Sequence, residues 1–230
     1  MRNLILIAGA RAAARVFGVV LLLAVAGCAS SGDAFSPKAK KESKYFTPTN
    51  FTGDTRLPVN LHRVVLVPVY GGKIVPPETA SSLEEIFATE LQKQLRFEVV
   101  RFSRSDSLRK FGAPEFSSVG ALPHDFLAAL GREYAADAVL FVDVTSYRGY
   151  RPLVLGVRAK LATVEQTRLL WSFDEIFAAD DPAVGASVRH YYGVADPSGI
   201  PIDARHGGLQ SPAKFAGYVA AATFNTLPPR

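Results

Sequence analysis

The stretch FLAALGREYAADAVLFVDVTSY, residues 126–147, decides the fold, because its apolar period changes half-way along. Phe126, Leu127, Leu130 and Tyr134 recur three and four apart, which places them on one side of a helix, and Pro123 stands near its start. After Ala136-Asp137-Ala138 the chain turns apolar and β-branched, and a strand is predicted from Ala138 to Tyr147. Two further strands are predicted behind it, Leu153 to Val164 and Arg168 to Phe177. Val157, Ala159 and Leu161 alternate with Arg158 and Lys160, and Leu169, Trp171 and Phe173 alternate with Leu170, Ser172 and Asp174. The link Glu165-Gln166-Thr167 is short enough to favour an antiparallel hairpin.

Upstream, VVLVPVY from Val64 to Tyr70 reads as a buried strand in which Pro68 marks an edge, a bulge or the strand's end. Gly71-Gly72 and Pro76-Pro77 lead into a helix carrying Leu83, Ile86, Phe87, Leu91 and Leu95. Its acids, Glu84 and Glu85, come early and its bases, Lys93 and Arg96, late, as the helix dipole favours. FEVVRF, Phe97 to Phe102, is the next strand, and residues 103–122 read as a loop. Downstream, Pro182 to Tyr192 is a short helix. Ser211-Pro212 supplies the N-cap and first residue of a last helix through Phe215, Val219, Ala222 and Thr226, stopped by Pro228-Pro229. The predicted order is β-α-β-α-β-β-β-α-α, an α+β fold with one mixed sheet and helices packed on it.

The chain begins differently. Arg2, Arg11 and Arg15 form a positive start with no acid before Asp33, followed by the apolar run VFGVVLLLAVAG, Val16 to Gly27. About 12 residues make a helix of roughly 18 Å, too short for a hydrocarbon core of about 30 Å. The length suits a signal peptide. Val25-Ala26-Gly27-Cys28 resembles the lipobox of bacterial lipoproteins, in which cleavage precedes the cysteine and its thiol takes a diacylglyceryl group, its amine an acyl chain. An ordinary secretory signal with a chance cysteine is the alternative. Against it, Cys28 is the only cysteine of the chain and occupies the lipobox position. Ala29 rather than Asp after it points to the outer membrane under the enteric sorting rule, with the domain facing the periplasm. The expected organisation is therefore a signal peptide over 1–27, a lipidated N-terminus and tether over 28–61, and a periplasmic domain over 62–230.

Charge supports no nucleic-acid role. The chain holds 26 Lys and Arg against 21 Asp and Glu, and three of those arginines leave with the signal. The tether opens ASSGDAFSPKAKKESK, small and charged, and continues through Pro48, Gly53 and Pro58, with Tyr45, Phe46 and Phe51 able to lie against the domain. Lys38, Lys40, Lys41 and Lys44 could rest on anionic head groups or simply solubilise the tether. Asn50-Phe51-Thr52 matches a glycosylation sequon, of little weight in a bacterial lipoprotein.

From Val64 to Phe177 the chain resembles the periplasmic domain of the curli-secretion lipoprotein family, whose fold is related to the lipoprotein activators of penicillin-binding proteins and the N-terminal domain of TolB. Four stretches carry the likeness: VLVPV at the end of the first strand, the helix followed by FEVVRFSR, FLAALGREYAADAVLFVDVTSY, and the hairpin KLATVEQTRLLWSF around Trp171. The resemblance implies a TolB-N-like domain that binds another envelope protein, or that assembles into a secretion ring. This hairpin lacks the group's usual glycine, and no long alternating inserts are present to supply transmembrane hairpins.

Motifs for chemistry are sparse. No phosphate-binding glycine loop, GxSxG elbow or HExxH helix occurs. His190, Asp196 and His206 could meet through the 190–208 loop as a zinc site of a hydrolase, or be solvated loop residues. Asp174, Glu175, Asp180 and Asp181 read as an acid–base pair or, more simply, as a wet strand end and a helix cap. Tyr147, Tyr150, Tyr191 and Tyr192 read as a partner-binding patch or edge packing. The expectation is a non-enzymatic, lipid-anchored binding or assembly module with no cofactor beyond the lipid on Cys28, and with oligomerisation open.

Overall fold

The computed structural model describes residues 44–195 and 207–230. Six strands form one open sheet in the order β1-β6-β5-β4-β2-β3. They are β1 (Phe51–Gly53), β2 (Arg63–Leu66), β3 (Glu98–Arg101), β4 (Ala138–Arg148), β5 (Val154–Thr163) and β6 (Leu169–Ala178). The strands β3, β2 and β4 run parallel, and β4, β5, β6 and β1 antiparallel. Parallel neighbours need a crossover. Helix α1 (Pro77–Gln92) links β2 to β3, and α2 (Arg104–Phe111) with α3 (Phe126–Tyr134) links β3 to β4. Helices α4 (Pro182–Ala195) and α5 (Pro212–Phe224) follow the meander. All described residues fall in one compact unit, Ser43–Arg230. The architecture is the α+β fold with a mixed sheet that the sequence predicts.

Strand alternation sends residues to two faces. Val64, Leu66, Leu140, Val142, Val157, Ala159, Leu161, Trp171 and Phe173 point to a first face, where α1, α4 and α5 cover them. Val65, Val67, Val139 and Phe141 point to the second face, where Phe102, Phe126 and Leu130 join them and Phe111, Phe116 and Tyr134 pack alongside. Helices α2 and α3 cover this face over β3, β2 and β4. Across β5, β6 and β1 it carries Arg158, Lys160, Ser172, Asp174, Ile176 and Thr52.

Four expectations need correction. Residues 103–122 are not wholly loop, because α2 forms at their start: Ser103 Oγ accepts from Asp106 N, and Gly112 closes the C-terminus at φ 78°. The stretch assigned to the tether enters the domain, since β1 pairs with β6 and Leu57 and Leu61 are buried. The order therefore gains a strand and a helix over the predicted one. Finally, Leu169 does not share a face with Trp171. A bulge between Leu161 and Ala162 shifts the register, so that Leu170 is buried and Leu169 is 45 % exposed. Of the three roles open to Pro68, strand end is the one observed, just past β2. The hairpin without a glycine turns with Thr167 at φ 51°.

Candidate functional site: an aromatic groove beside β1

The segment leading into β1 is pinned to α4 and β6. Phe46 N donates to Ala183 O (3.3 Å) and Ser187 Oγ (2.8 Å), and Thr49 N and Asn50 N donate to Glu175 Oε2 (3.1 and 3.3 Å). Phe46 meets Phe177 edge-on at 5.2 Å, and Tyr45 lies over His190 at 4.7 Å. Between this segment, α4 and α5 runs a groove of about 500 Å³. Its depth comes from α5, where Ala221 and Ala222 leave room under the rings of Tyr45, Phe51, Tyr191 and Tyr218. At its end Asn225 and Thr226 supply polar atoms, and Thr226 Oγ1 accepts from Trp171 Nε1 at 3.2 Å.

Three tyrosines here, Tyr191, Tyr192 and Tyr218, have their hydroxyl pKa raised. Burial pushes the Tyr191 hydroxyl up to about 12, with the charge of Glu90 adding, and Tyr191 donates to Glu90 Oε2 at 3.3 Å. Burial likewise pushes Tyr192 up to about 12, and raises Tyr218. Neutral phenols at physiological pH offer apolar rings and hydrogen bonds, not nucleophiles. The Ser187 hydroxyl is engaged by Phe46 N and Tyr218.

The residues singled out in the sequence are only partly brought together. Tyr191 lines the groove and Tyr192 stands edge-on to it at 5.0 Å. Tyr147 belongs to a separate hollow of about 240 Å³ with Ile86 and Pro212, and Tyr150 is 74 % exposed. His190 packs at a tilt against Tyr45, while Asp196, His206 and Cys28 lie outside the described residues, as do Lys38, Lys40 and Lys41. Among the described residues no three His, Cys, Asp or Glu cluster as metal ligands. Three of the four acids have separate tasks. Asp181 Oδ1 caps α4 through Ala183 N (2.7 Å), Asp174 pairs with Arg158 (2.7 Å), and Glu175 holds Thr49 and Asn50. Asp180 is simply exposed.

The usual ligand crevice of such sheets, beyond the C-terminal ends of parallel strands, is closed by the chain itself. Arg104 lies 3.1 Å from Glu84 and 2.5 Å from Glu115, whose other oxygen accepts from Gly71 N (3.2 Å) and Gly72 N (2.9 Å). Burial pushes the Glu84 carboxyl up, opposed by Arg104, Val69 N–H and Arg101. Beside it, buried Asp143 accepts from Ser117 Oγ (2.8 Å) and from Ser118 N and Oγ (both 3.0 Å).

The sequence matches no described protein family and no curated protein. Among solved structures it is similar to the PelC dodecamer of Paraburkholderia phytofirmans, at 17 % identity over 78 % of this chain and 95 % of that one, TM-score 0.44. It is also similar to lipoprotein GNA1162 of Neisseria meningitidis, at 16 % over 58 % and 97 %, TM-score 0.42. A third is the LpoB C-terminal domain from Salmonella enterica, at 17 % over 53 % and 86 %, TM-score 0.36. No helix among the described residues is long and apolar enough to cross a membrane.

Proposed function

We propose that this chain is a lipid-anchored envelope lipoprotein whose domain binds another envelope protein and performs no catalysis of its own. The observation that carries the binding role is the second face across β5, β6 and β1, which no described helix covers and where Ile176 stands 55 % exposed beside Arg158, Ser172 and Asp174. The anchoring half rests on Val25-Ala26-Gly27-Cys28 behind a short apolar run. Mechanism is then tethering. Three acyl chains hold far better than one, and confinement to a surface raises the effective concentration of the domain for its partner. Outer-membrane placement with the domain in the periplasm follows from Ala29 under the enteric rule.

The test is labelled palmitate fed to cells, followed by light scattering of the purified chain in mild detergent. Label on wild type and none on Cys28→Ala is the expected result; equal label on both defeats the anchor. A mass near one chain fits a tethered adaptor. A discrete mass of several chains turns the proposal to an assembly ring.

A further inference from the structure

We propose that the aromatic groove is the membrane-facing surface of the domain, with Lys44, Tyr45 and Phe51 seated among the head groups of an anionic leaflet. This rests on the reading of Cys28 as the lipid-bearing residue. The lipid and the groove would hold the domain at two points, and the second sets its orientation.

Where the chain enters the fold is the first ground. Tyr45 lines the groove with Lys44 Nζ over its ring at 5.5 Å, and Tyr45 to Pro48, the part of the groove's wall before β1, belong to the segment that arrives from Cys28. From Cys28 to Lys44 the chain reaches at most roughly 55 Å. A folded unit the size of Ser43–Arg230 has a radius of about 20 Å. The surface at the root of so short a connection is the one that meets the bilayer most often.

Charge complementarity is the second ground. Between Cys28 and Asn50 the sequence has four lysines, Lys38, Lys40, Lys41 and Lys44, against two acids, Asp33 and Glu42. A basic stretch beside a lipid anchor is drawn to anionic head groups. Of the acids bordering the entering segment in the fold, Glu175 is bonded to the backbone of Thr49 and Asn50, and Asp174 is paired with Arg158. Side-chain chemistry agrees. Tyr45 is 37 % and Phe51 41 % exposed at an apolar hollow, and Tyr combines an apolar ring with a polar tip suited to the head-group layer. On the other side of the sheet Arg158, Lys160, Asp174 and Ile176 then face away from the bilayer and stay open to a protein partner.

Lipid quenching in vesicles tests this on the full lipidated chain. Cys28 is the only native cysteine and its thiol is blocked by lipid, so one added cysteine takes one fluorophore. The two positions are Thr47→Cys at the groove and Ile176→Cys on the second face. In vesicles of phosphatidylethanolamine and phosphatidylglycerol doped with spin-labelled lipid, the Thr47 probe should shift to the blue and lose more than half its emission. The Ile176 probe should lose little. Combining Lys44→Glu, Tyr45→Ser and Phe51→Ser should bring the Thr47 probe down to the Ile176 level while palmitate incorporation and the melting curve stay unchanged. Equal quenching of both probes on a palmitoylated chain overturns the face assignment and leaves the anchor standing. A Thr47 probe shielded only after envelope proteins are added overturns it in favour of a protein in the groove. Absence of palmitate in wild type overturns the anchor itself, and this inference with it.

Discussion

The first face of the sheet is closed by three helices around a large core in which aliphatic side chains mix with Phe87, Trp171, Phe173, Phe177, Phe215 and Phe224, whereas the second is closed over only three strands, chiefly by aromatic rings. On the second face Phe111 meets Phe116 and Phe126 at 6.0 and 4.6 Å, and Phe126 reaches Phe141 at 6.0 Å. A few large rings cover the parallel strands that α2 and α3, at 8 and 9 residues, are too short to seal with aliphatic side chains. The antiparallel half needs no such cover, because its second face is polar. The difference teaches that one sheet is stabilised in two ways: shared packing on one side, and a local aromatic cap with charge pins on the other.

Removing a ring from the shared core tests this most severely. Phe87 is fully buried and meets Phe224 edge-on at 5.8 Å, so Phe87→Ala should cost about 3–5 kcal/mol in denaturant unfolding and shift every probe together. Phe126→Ala on the second face should cost about 3 kcal/mol, with lost hydrogen-exchange protection concentrated in α2 and α3. Protection lost equally in α4 and α5 would break the distinction between the faces. Asp143→Asn weakens the pin that holds Ser117 and Ser118 and should cost about 1–3 kcal/mol, read as faster proteolysis within residues 113–122.

Acidification probes the closed crevice. The Glu84 carboxyl is pushed above its ordinary value by burial. Its folded form therefore binds a proton more readily than its unfolded form. The stability it contributes is full below the ordinary carboxylate pKa near 4.5 and is lost as pH rises through the higher folded value. Wild type should gain on Glu84→Gln in denaturant midpoint as pH falls from 7 toward 4.5, and parallel midpoints would remove Glu84 from the account. The smallest effect belongs to the open half of the second face. There Arg158 and Asp174, 30 % and 39 % exposed, form a solvated pair, and Arg158→Ala should cost under about 1 kcal/mol.

Periodicity made the long elements legible: α1, α3 and the meander β4–β5–β6 stand within a few residues of where the apolar pattern puts them. What escaped it was structure held by few residues. Helix α2 has a polar sequence, RSDSLRKF, and its signals are caps, Ser103 with Asp106 and then Gly112. Strand β1 has three exposed residues, and only its pairing to β6 makes it a strand. The bulge at Leu170 breaks an alternation that looks regular on paper. At the groove, Tyr45, Phe46 and Phe51 stood out as aromatics in a polar stretch. Their counterparts on α5, Ala221 and Ala222, are small residues whose importance lies in the room they leave.

The way the chain enters the fold also sets how the domain bears force. A pull from the N-terminus loads, in turn, the two bonds of Phe46 N to α4, the two that Glu175 accepts, and then the β1–β6 ladder, where Asn50 O accepts from Asp174 N and Leu170 O from Asp54 N. Behind β1, Leu57 N is tied to Pro229 O, and Arg230 reaches Leu61 O, so the segment that follows β1 is latched to the last residues of the domain. Tension is thus taken up at the sheet's edge by a graded series of weak links, and the meander behind it is strained last.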